Sequence, residues 1–304
     1  MMGKRVKPFL KWAGGKSQLL EQFELYFPVE LKEGLVKRYI EPFVGGGAVF
    51  FHIAQKYPIQ DIHLYDINEE LILAFTVVQK NVDDLIEQLK NIESAFLKNN
   101  DEKRQKYFYK IRDTYNKQKS EVNFKRYSKK WISRAAHIFF LNRTCFNGLF
   151  RVNKASKFNV PFGRYKNPTI CDDVNLRNAS SLLKNATIRC TNFSNVVNEA
   201  DENTFIYYDP PYRPLSRTSN FTSYSKCDFN DEEQKRLAET FNTTSKKGVK
   251  QMLSNSDPKS VDPKDAFFDA LYSDFNIHRV HAARMINSNA SKRGRISELL
   301  ITNY

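Results

Sequence analysis

The sequence predicts an α/β fold: a mostly parallel sheet covered by helices and interrupted by a basic insertion of helices and a hairpin. In the first and last thirds of the chain, short apolar runs typical of strands alternate with helical spacing, which favours βαβ units. In the middle third this alternation stops and the positive charge is concentrated. The 304 residues suit one large domain or two moderate ones.

Six short apolar runs are the predicted strands. They lie at residues 39–40, 62–65, 187–189, 205–208, 251–253 and 298–302. One predicted helix carries Leu19, Leu20, Phe23 and Phe27 on a single face. Residues 1–75 and 169–304 are therefore predicted to form one α/β domain that the insertion splits.

The insertion, residues 76–168, is defined by its charge. It holds 21 Lys and Arg against 8 Asp and Glu, whereas the rest of the chain holds 27 against 26. Apolar residues at three- and four-residue steps predict amphipathic helices, at Leu85, Leu89, Ile92 and Phe96 and again at Tyr107, Ile111 and Tyr115. After Asn142 the glycines, asparagines and prolines predict a hairpin with a long tip.

The net charge of +14 favours a polyanionic partner, either nucleic acid or a membrane surface, although scattered surface lysines would give the same balance. No apolar run is long enough to span a membrane, and the N-terminus lacks the apolar core of a signal peptide. The four cysteines are far apart, which argues against a disulfide framework or a zinc site and predicts a cytoplasmic protein. His278 and His281 have no third ligand nearby, so we expect no metal site.

A glycine-rich turn follows the first predicted strand, in the run EPFVGGG at residues 41–47. Glycines let the backbone turn tightly and approach a ligand closely at the start of the next helix. Asp66 ends the next predicted strand about 20 residues later, where dinucleotide-type folds place an acid on ribose hydroxyls. A purely structural turn, with Asp66 capping the helix that begins near Glu69, explains the same residues equally well when each is taken singly.

The run Asp209-Pro210-Pro211-Tyr212 follows the predicted strand FIYY and is the stronger signal. Prolines cannot extend a central strand, so they predict a rigid turn at its carboxyl end, where open α/β sheets bind ligands. A carboxylate, the Pro210 carbonyl and the Tyr212 ring would then surround one point. Two acceptors and one ring suit a planar base that carries an exocyclic amine.

The run KWAGGK at residues 11–16 contains a glycine–lysine–serine step typical of phosphate loops. That motif needs a glycine at position 10, where the chain has leucine, so an ATP-dependent enzyme is disfavoured. The alternative for Trp12 is a buried ring beside a helix start.

The insertion contains no acidic residue after Glu121, and in this part basic and aromatic residues are interleaved. Basic groups neutralise phosphates and aromatic rings stack or wedge, so the pattern favours nucleic acid. Arginine and asparagine can also read guanine and adenine edges. The residues that carry this pattern are Arg143, Phe146, Asn147, Arg151, Lys154, Phe158, Arg164, Tyr165 and Lys166.

Taken in order, KWAGGK, EPFVGGGAVFF, the basic insertion and YYDPPY resemble the Dam-type DNA adenine methyltransferases, most closely their GATC-methylating, DpnII-associated branch. Further segments extend the resemblance nearly end to end: NGLFRVN, FNVPFGRYKNP, PLSRTSNFTSY, LSNS and ISELLITNY. The resemblance implies a Rossmann-like methyltransferase domain, residues 1–75 and 169–304. It likewise implies a target-recognition domain at residues 76–168.

The resemblance also implies roles for individual residues. Asp209, Pro210 and Tyr212 would hold a flipped adenine. S-adenosylmethionine would be bound by Trp12, Lys16, Phe43, Gly45, Asp66 and Asp209. DNA would be bound by Lys11, Leu149, Arg151, Pro161 and Tyr165, with Arg151 as guanine reader and Phe146 as an intercalating wedge. Asn147 and Arg164, from the basic and aromatic pattern, complete the predicted DNA-binding set. One departure is Asn192, since close relatives carry an aspartate there.

The expected reaction is direct methyl transfer from S-adenosylmethionine to the exocyclic amine of adenine in duplex DNA, with base flipping and without a metal. Rival substrates are cytosine in DNA, bases in RNA or a glutamine side chain. A DNA-binding protein without enzymatic activity is a rival of another class, but it would not need Asp66, the glycine turn and DPPY together. Expected partners are double-stranded DNA, in the cytoplasm at the nucleoid, and a restriction endonuclease of the same system, with no stable complex.

Overall fold

The computed structural model describes residues 5–213, 229–282 and 296–304. The segment PLSRTSNFTSY and Cys227 therefore lie outside the described residues. The helices are α1 (Leu20–Leu25), α2 (Val29–Lys32), α3 (Ala48–Lys56), α4 (Glu69–Lys80), α5 (Val82–Leu97), α6 (Asp101–Gln118), α7 (Lys130–Thr144), α8 (Asp173–Leu183), α9 (Val196–Glu199), α10 (Asp231–Ser245) and α11 (Phe267–Leu271). The strands are β1 (Arg38–Glu41), β2 (Asp61–Asp66), β3 (Thr187–Cys190), β4 (Thr204–Tyr208), β5 (Lys250–Ser256), β6 (Asn276–Ala282) and β7 (Ile296–Thr302).

All six predicted strands are present, and the mixed α/β fold with a seven-stranded sheet is consistent with a Rossmann-like methyltransferase. Strand β6 was not predicted. In its sequence NIHRVHA the apolar residues are separated by polar ones, including the adjacent His278 and Arg279, and within the described residues it lies at one edge of the sheet, paired with β7. An edge strand needs no continuous apolar run.

The described residues group into two compact units. The first comprises residues 1–15, 45–55 and 68–190, and the second comprises residues 16–44, 56–67 and 191–304. The insertion predicted from charge, residues 76–168, falls within the first unit. Its division by function from the rest of the chain stays a prediction.

In the second unit, β2, β1, β4 and β5 run parallel in that order, and β7 and β6 continue the sheet antiparallel. The predicted parallel pairing is confirmed for β2, β1, β4 and β5. The antiparallel pairing of β7 with β5 and β6 was not predicted. Ile40 is opposite both His63 and Ile206, and Tyr208 is opposite Leu253. This register brings the carboxyl ends of four strands to one edge.

The buried strand β4 explains why a continuous apolar run was visible in the sequence. Phe205, Ile206, Tyr207 and Tyr208 are all inaccessible to solvent. Parallel strands covered on both faces read as unbroken apolar stretches rather than alternating ones. Residue 209 is therefore the first at which this strand can expose a polar side chain.

The first unit contains the helices predicted for the insertion. Leu85, Leu89 and Phe96 of α5 are fully buried, as expected. On α6 the buried face holds Phe108 and Tyr115. The predicted hairpin is present only as two isolated antiparallel bridges, which pair Cys145 with Phe162 and Val152 with Phe158.

Arg134 of α7 is the largest fully buried side chain among the described residues, and it is charged. Its Nε donates to Glu70 of α4 at 2.8 Å, a second guanidinium nitrogen donates to the same carboxylate, and a third donates to the Tyr115 carbonyl at 2.8 Å. The guanidinium also lies 4.2 Å from the centroid of the Tyr115 ring. One side chain thus ties α4, α6 and α7 together.

We predict that Arg134→Met lowers the free energy of unfolding by about 3–5 kcal/mol, because it leaves the Glu70 carboxylate buried and unpaired. Chemical denaturation monitored by circular dichroism measures the change. The double variant Arg134→Met/Glu70→Leu should recover most of the loss, and Arg177→Ala, which breaks an exposed pair with Asp83, should change little. A single variant as stable as the parent would contradict this assignment.

Candidate functional site

Asp209 is the first residue after β4 and lies at the carboxyl edge of the parallel strands. Pro210, which follows it, is buried, whereas Pro211 is exposed. The Pro211 carbonyl accepts a hydrogen bond of 3.1 Å from the Gln234 side chain of α10. The two fixed proline φ angles and this bond hold the turn rigid.

The Asp209 carboxylate is paired with Lys16. The Lys16 ammonium lies 2.7 Å from one carboxylate oxygen and 2.8 Å from the other. The Lys16 side chain is 4% exposed and that of Asp209 20% exposed. Burial raises the pKa of Asp209 above its ordinary value, while Lys16 and then a hydrogen bond from Ser254 act in the opposite direction.

Ser254 of β5 joins Asp209 to the core of the sheet. Its hydroxyl donates to Asp209 at 3.1 Å and lies 2.8 Å from the hydroxyl of Tyr207, which is fully buried. Burial, and next the charge of Asp209, hold the pKa of Tyr207 well above its ordinary value, so this phenol stays neutral. Sequence reasoning assigned no role to Ser254, although LSNS belonged to the resemblance.

Tyr212 is held at both ends. Its hydroxyl donates to Glu298 of β7 at 2.6 Å, and the Lys16 ammonium lies 4.5 Å from the centroid of its ring. Burial raises the pKa of Tyr212 well above its ordinary value, with further contributions from the Asp209 and Glu298 charges. Lys16, Asp209 and Tyr212, three predicted site residues, therefore form one contact group. Glu298 is a fourth member that the sequence did not reveal.

The next residue, Arg213, anchors the chain after this group. Its Nε donates to Asp231 at 2.8 Å and another guanidinium nitrogen donates to Asp265 at 2.6 Å. The guanidinium also lies 4.4 Å from the centroid of the Phe267 ring. The turn that carries Tyr212 is thus fixed on both sides, which limits the freedom of the aromatic ring.

Phe43 lies just after β1, and Asp66 is the last residue of β2. Both are at the same carboxyl edge of the sheet as Asp209. Phe43 is stacked on Phe193 with ring centroids 5.4 Å apart and leaves part of its surface accessible. Asp66 is half-buried. Asp66 does not cap α4, because the Asn68 side chain accepts hydrogen bonds from the first amides of that helix. The structural alternative for Asp66 as a helix cap is therefore wrong.

Asn192, the departure noted in the sequence, caps a short turn at residues 193–195. Its side-chain oxygen accepts bonds from the Ser194 amide at 3.1 Å and from the Ser194 hydroxyl at 2.9 Å. Arg236 of α10 donates to the same oxygen at 3.0 Å. Three donors therefore already converge on this oxygen.

Two residues assigned to the cofactor belong to the first unit. The half-buried Trp12 ring stacks on Phe150, with centroids 5.3 Å apart and planes inclined by 24°. Gly45 has φ of +48° and Gly47 has φ of +73°, a conformation that side chains rarely adopt. The glycines of this turn therefore meet a backbone requirement.

The predicted DNA-binding residues all belong to the first unit, around the hairpin. Phe146 is 53% exposed, unusual for a large apolar ring, and its amide donates to the Pro161 carbonyl at 2.9 Å. Asn147 and Arg164 are exposed and have φ of +56° and +54°. Such backbone conformations cluster at functional sites.

The remaining members of this group are also accessible. The exposed Arg151 donates through Nε to Asn159 at 2.9 Å. The exposed Lys11 places its ammonium 5.4 Å from the centroid of the Tyr165 ring. Leu149 is half-buried. The structure thus joins Lys11 with Tyr165 and Phe146 with Pro161.

Within the described ranges, no three His, Cys, Asp or Glu side chains form a cluster that could hold a metal ion. Among the same residues, no helix has the length and apolar character needed to cross a membrane. Cys145, Cys171 and Cys190 are free thiols.

The family model of D12 class N6 adenine-specific DNA methyltransferases matches residues 12–286. This span covers most of the chain, so the protein belongs to that family and is an adenine-specific DNA methyltransferase.

Curated relatives agree with this membership. The Type II methyltransferase M.MjaIII of Methanocaldococcus jannaschii is 52% identical over 300 residues, covering 98% of this chain and 99% of the relative. The Type II methyltransferase M1.LlaDCHI of Lactococcus lactis subsp. cremoris is 38% identical over 301 residues, covering 98% and 96%. The DNA adenine methylase of Escherichia coli K12 is 33% identical over 297 residues, covering 98% and 95%.

We predict that Lys16→Met raises the pKa of Asp209 further, because it removes the charge that opposes the effect of burial. Carbon-13 NMR of the aspartate carboxyl groups measures this, with Asp209→Asn identifying the signal. Lys16→Arg keeps the charge and should leave the pKa close to that of the parent. An unchanged pKa in Lys16→Met would show that the ion pair does not control this carboxylate.

Proposed function

We propose that this enzyme transfers a methyl group from S-adenosylmethionine to the exocyclic amine of a flipped adenine within GATC in duplex DNA. The observation that carries the proposal is the contact group of Asp209, Lys16 and Tyr212 at the end of β4. It presents a carboxylate and an aromatic ring from a turn that two prolines hold rigid.

The residues at this sheet edge fit the cofactor. Asp66 supplies a carboxylate for ribose hydroxyls, Phe43 supplies an accessible aromatic face, and Asp209 supplies a second carboxylate, which is paired with Lys16. The resemblance in the sequence also assigns Trp12 and Gly45 to the cofactor. When bound, S-adenosylmethionine supplies an electrophilic methyl group on a sulfonium, which is a good leaving group.

The target amine lies inside the DNA stack, so the adenine must be extruded at a cost of a few kcal/mol. Asp209 and the Pro210 carbonyl accept its two N–H bonds, and Tyr212 stacks on the ring. This arrangement turns the nitrogen lone pair away from the two acceptors. The carboxylate also favours the positive charge that develops on the amine until its extra proton passes to solvent water. Positioning of this kind is worth about 7–11 kcal/mol.

The exposed residues around the hairpin are proposed to bind DNA. Arg151 reads a guanine edge, Asn147 and Arg164 contact the duplex beside it, and Phe146 enters the stack. The GATC assignment follows the resemblance in the sequence. Relatives named as Type II methyltransferases support a restriction–modification role beside a nuclease, with the enzyme acting at the nucleoid in the cytoplasm.

We predict that Asp209→Ala lowers kcat at least about 10²–10³-fold, because the amine loses a charged acceptor. Transfer of tritiated methyl groups to DNA measures the rate, and fluorescence anisotropy should give an unchanged Kd for DNA. Asp274→Ala removes an exposed carboxylate of the same unit and should leave both values unchanged. Turnover close to that of the parent in Asp209→Ala would refute the role of this residue.

We predict that unmethylated plasmid incubated with the enzyme and S-adenosylmethionine carries N6-methyladenine at GATC, as read by single-molecule sequencing. In Arg151→Ala, discrimination at the guanine should fall by about 1–3 kcal/mol, or roughly 5- to 150-fold, with other positions read as before. Modification at a different motif would refute GATC while leaving the chemistry intact. An equal loss of base discrimination at every position of the recognition site would refute guanine reading by Arg151.

A further inference from the structure

The N-terminal segment of the first unit is held by side-chain amides rather than by a strand partner. The Gln55 amide bonds both backbone groups of Val6, and the Asn175 amide bonds both backbone groups of Lys7 at 2.9 Å each. Asn142 bonds both backbone groups of Lys11 in the same way. Its oxygen accepts from the Lys11 amide at 2.8 Å and its nitrogen donates to the Lys11 carbonyl at 2.9 Å.

Asn142 differs from the other two amides by a third bond. Its nitrogen also donates to the Gly148 carbonyl at 2.9 Å, in the turn that carries Phe146 and Asn147. Asn142 is 1% exposed, and its bond to Gly148 is fully buried, while its two bonds to Lys11 are partly buried. One planar amide therefore fixes Lys11 and this turn relative to each other.

The Lys11 side chain fits closely against the same turn. Gly148 has φ of +64°, and a Cβ atom added there would lie 2.4 Å from Lys11 Cδ. On the other side, the Lys11 ammonium lies 5.4 Å from the centroid of the Tyr165 ring. Lys11 therefore passes between Gly148 and Tyr165, and a shift of its backbone would displace its charge.

We propose that Asn142 is the positioning residue of the DNA-binding surface: it sets Lys11 against the Phe146–Gly148 turn so that both meet DNA together. This inference rests on the proposed function, since it takes Lys11, Phe146 and Asn147 as DNA contacts. Asn142 itself is buried and touches no DNA. Its effect passes through Lys11 and the turn.

Asn142→Asp is the sharpest test, because it keeps the shape of the side chain but replaces the donating nitrogen by oxygen. The two carbonyls of Lys11 and Gly148 then face an acceptor, and two hydrogen bonds are lost. Asn175→Asp is the matched control. It makes the same change at Lys7 of the same segment, away from the turn.

The measurement is DNA affinity by fluorescence anisotropy at several salt concentrations, with kcat at saturating DNA and the Kd for S-adenosylmethionine. We expect Asn142→Asp to weaken DNA binding at least as much as Lys11→Met, because it releases both Lys11 and the turn. Its salt dependence should be shallower by about 0.9, the value for one phosphate contact. The Kd for DNA should change by a larger factor than kcat at saturating DNA, and Asn175→Asp should behave as the parent.

The double variant Lys11→Met/Asn142→Asp separates positioning from simple loss of stability. If Asn142 acts through Lys11 and the turn, the double variant binds DNA no more weakly than Asn142→Asp alone. Purely additive losses would overturn the proposal, as would equal losses in Asn142→Asp and Asn175→Asp. So would parental DNA affinity in Asn142→Asp.

Gly148→Ala covers the case in which Asn142→Asp does not fold. Its added Cβ would lie 2.4 Å from Lys11 Cδ and therefore pushes the Lys11 side chain away from the turn. It should reproduce the loss and shallower salt dependence of Lys11→Met, and parental binding would overturn the proposal. If Lys11→Met and Arg151→Ala both bind DNA as the parent does, the proposed DNA surface fails. If both weaken binding while Asn142→Asp does not, the positioning role of Asn142 fails alone.

Discussion

The ion pair of Asp209 and Lys16 is the interaction on which the second unit depends for its chemistry. Removing a carboxylate from water costs several kcal/mol unless a partner offsets the loss. Lys16 supplies that partner with both carboxylate oxygens within 2.8 Å, and Ser254 adds a hydrogen bond. The same ammonium faces the Tyr212 ring, so one cation contacts both the carboxylate proposed as acceptor and the ring proposed to stack on adenine.

The strands and the turn after β4 could be predicted because their signals are local. A strand buried on both faces is a continuous apolar run, and two prolines after it can only end it. Ser254 could not be predicted, since its role depends on register. Tyr208 is opposite Leu253, and that pairing alone brings the next residue of β5 to Asp209. Glu298 likewise reaches Tyr212 only because β7 joins the sheet antiparallel.

The N-terminal segment shows a second limit of sequence reasoning. Every buried peptide group needs a hydrogen-bond partner, and a segment outside the sheet must find it elsewhere. Here the partners are side-chain amides that lie 49, 168 and 131 positions away, at Gln55, Asn175 and Asn142. No spacing rule connects residues so far apart. The sequence around Asn142, near the end of α7, therefore carries no visible sign that this residue fixes a lysine near the start of the chain.

Some cations of the insertion pair with carboxylates elsewhere in the chain, and others are exposed. Arg134 is fully buried and neutralised by Glu70, which lies outside residues 76–168, and Lys90 pairs with Asp173, also outside. The excess of +13 in this segment therefore overstates what a polyanion can meet. The salt dependence of DNA binding should accordingly reflect the exposed groups around the hairpin, such as Lys11 and Arg151, rather than the full count. Charge predicts the module from the sequence, and burial decides which of its cations are accessible to a polyanion.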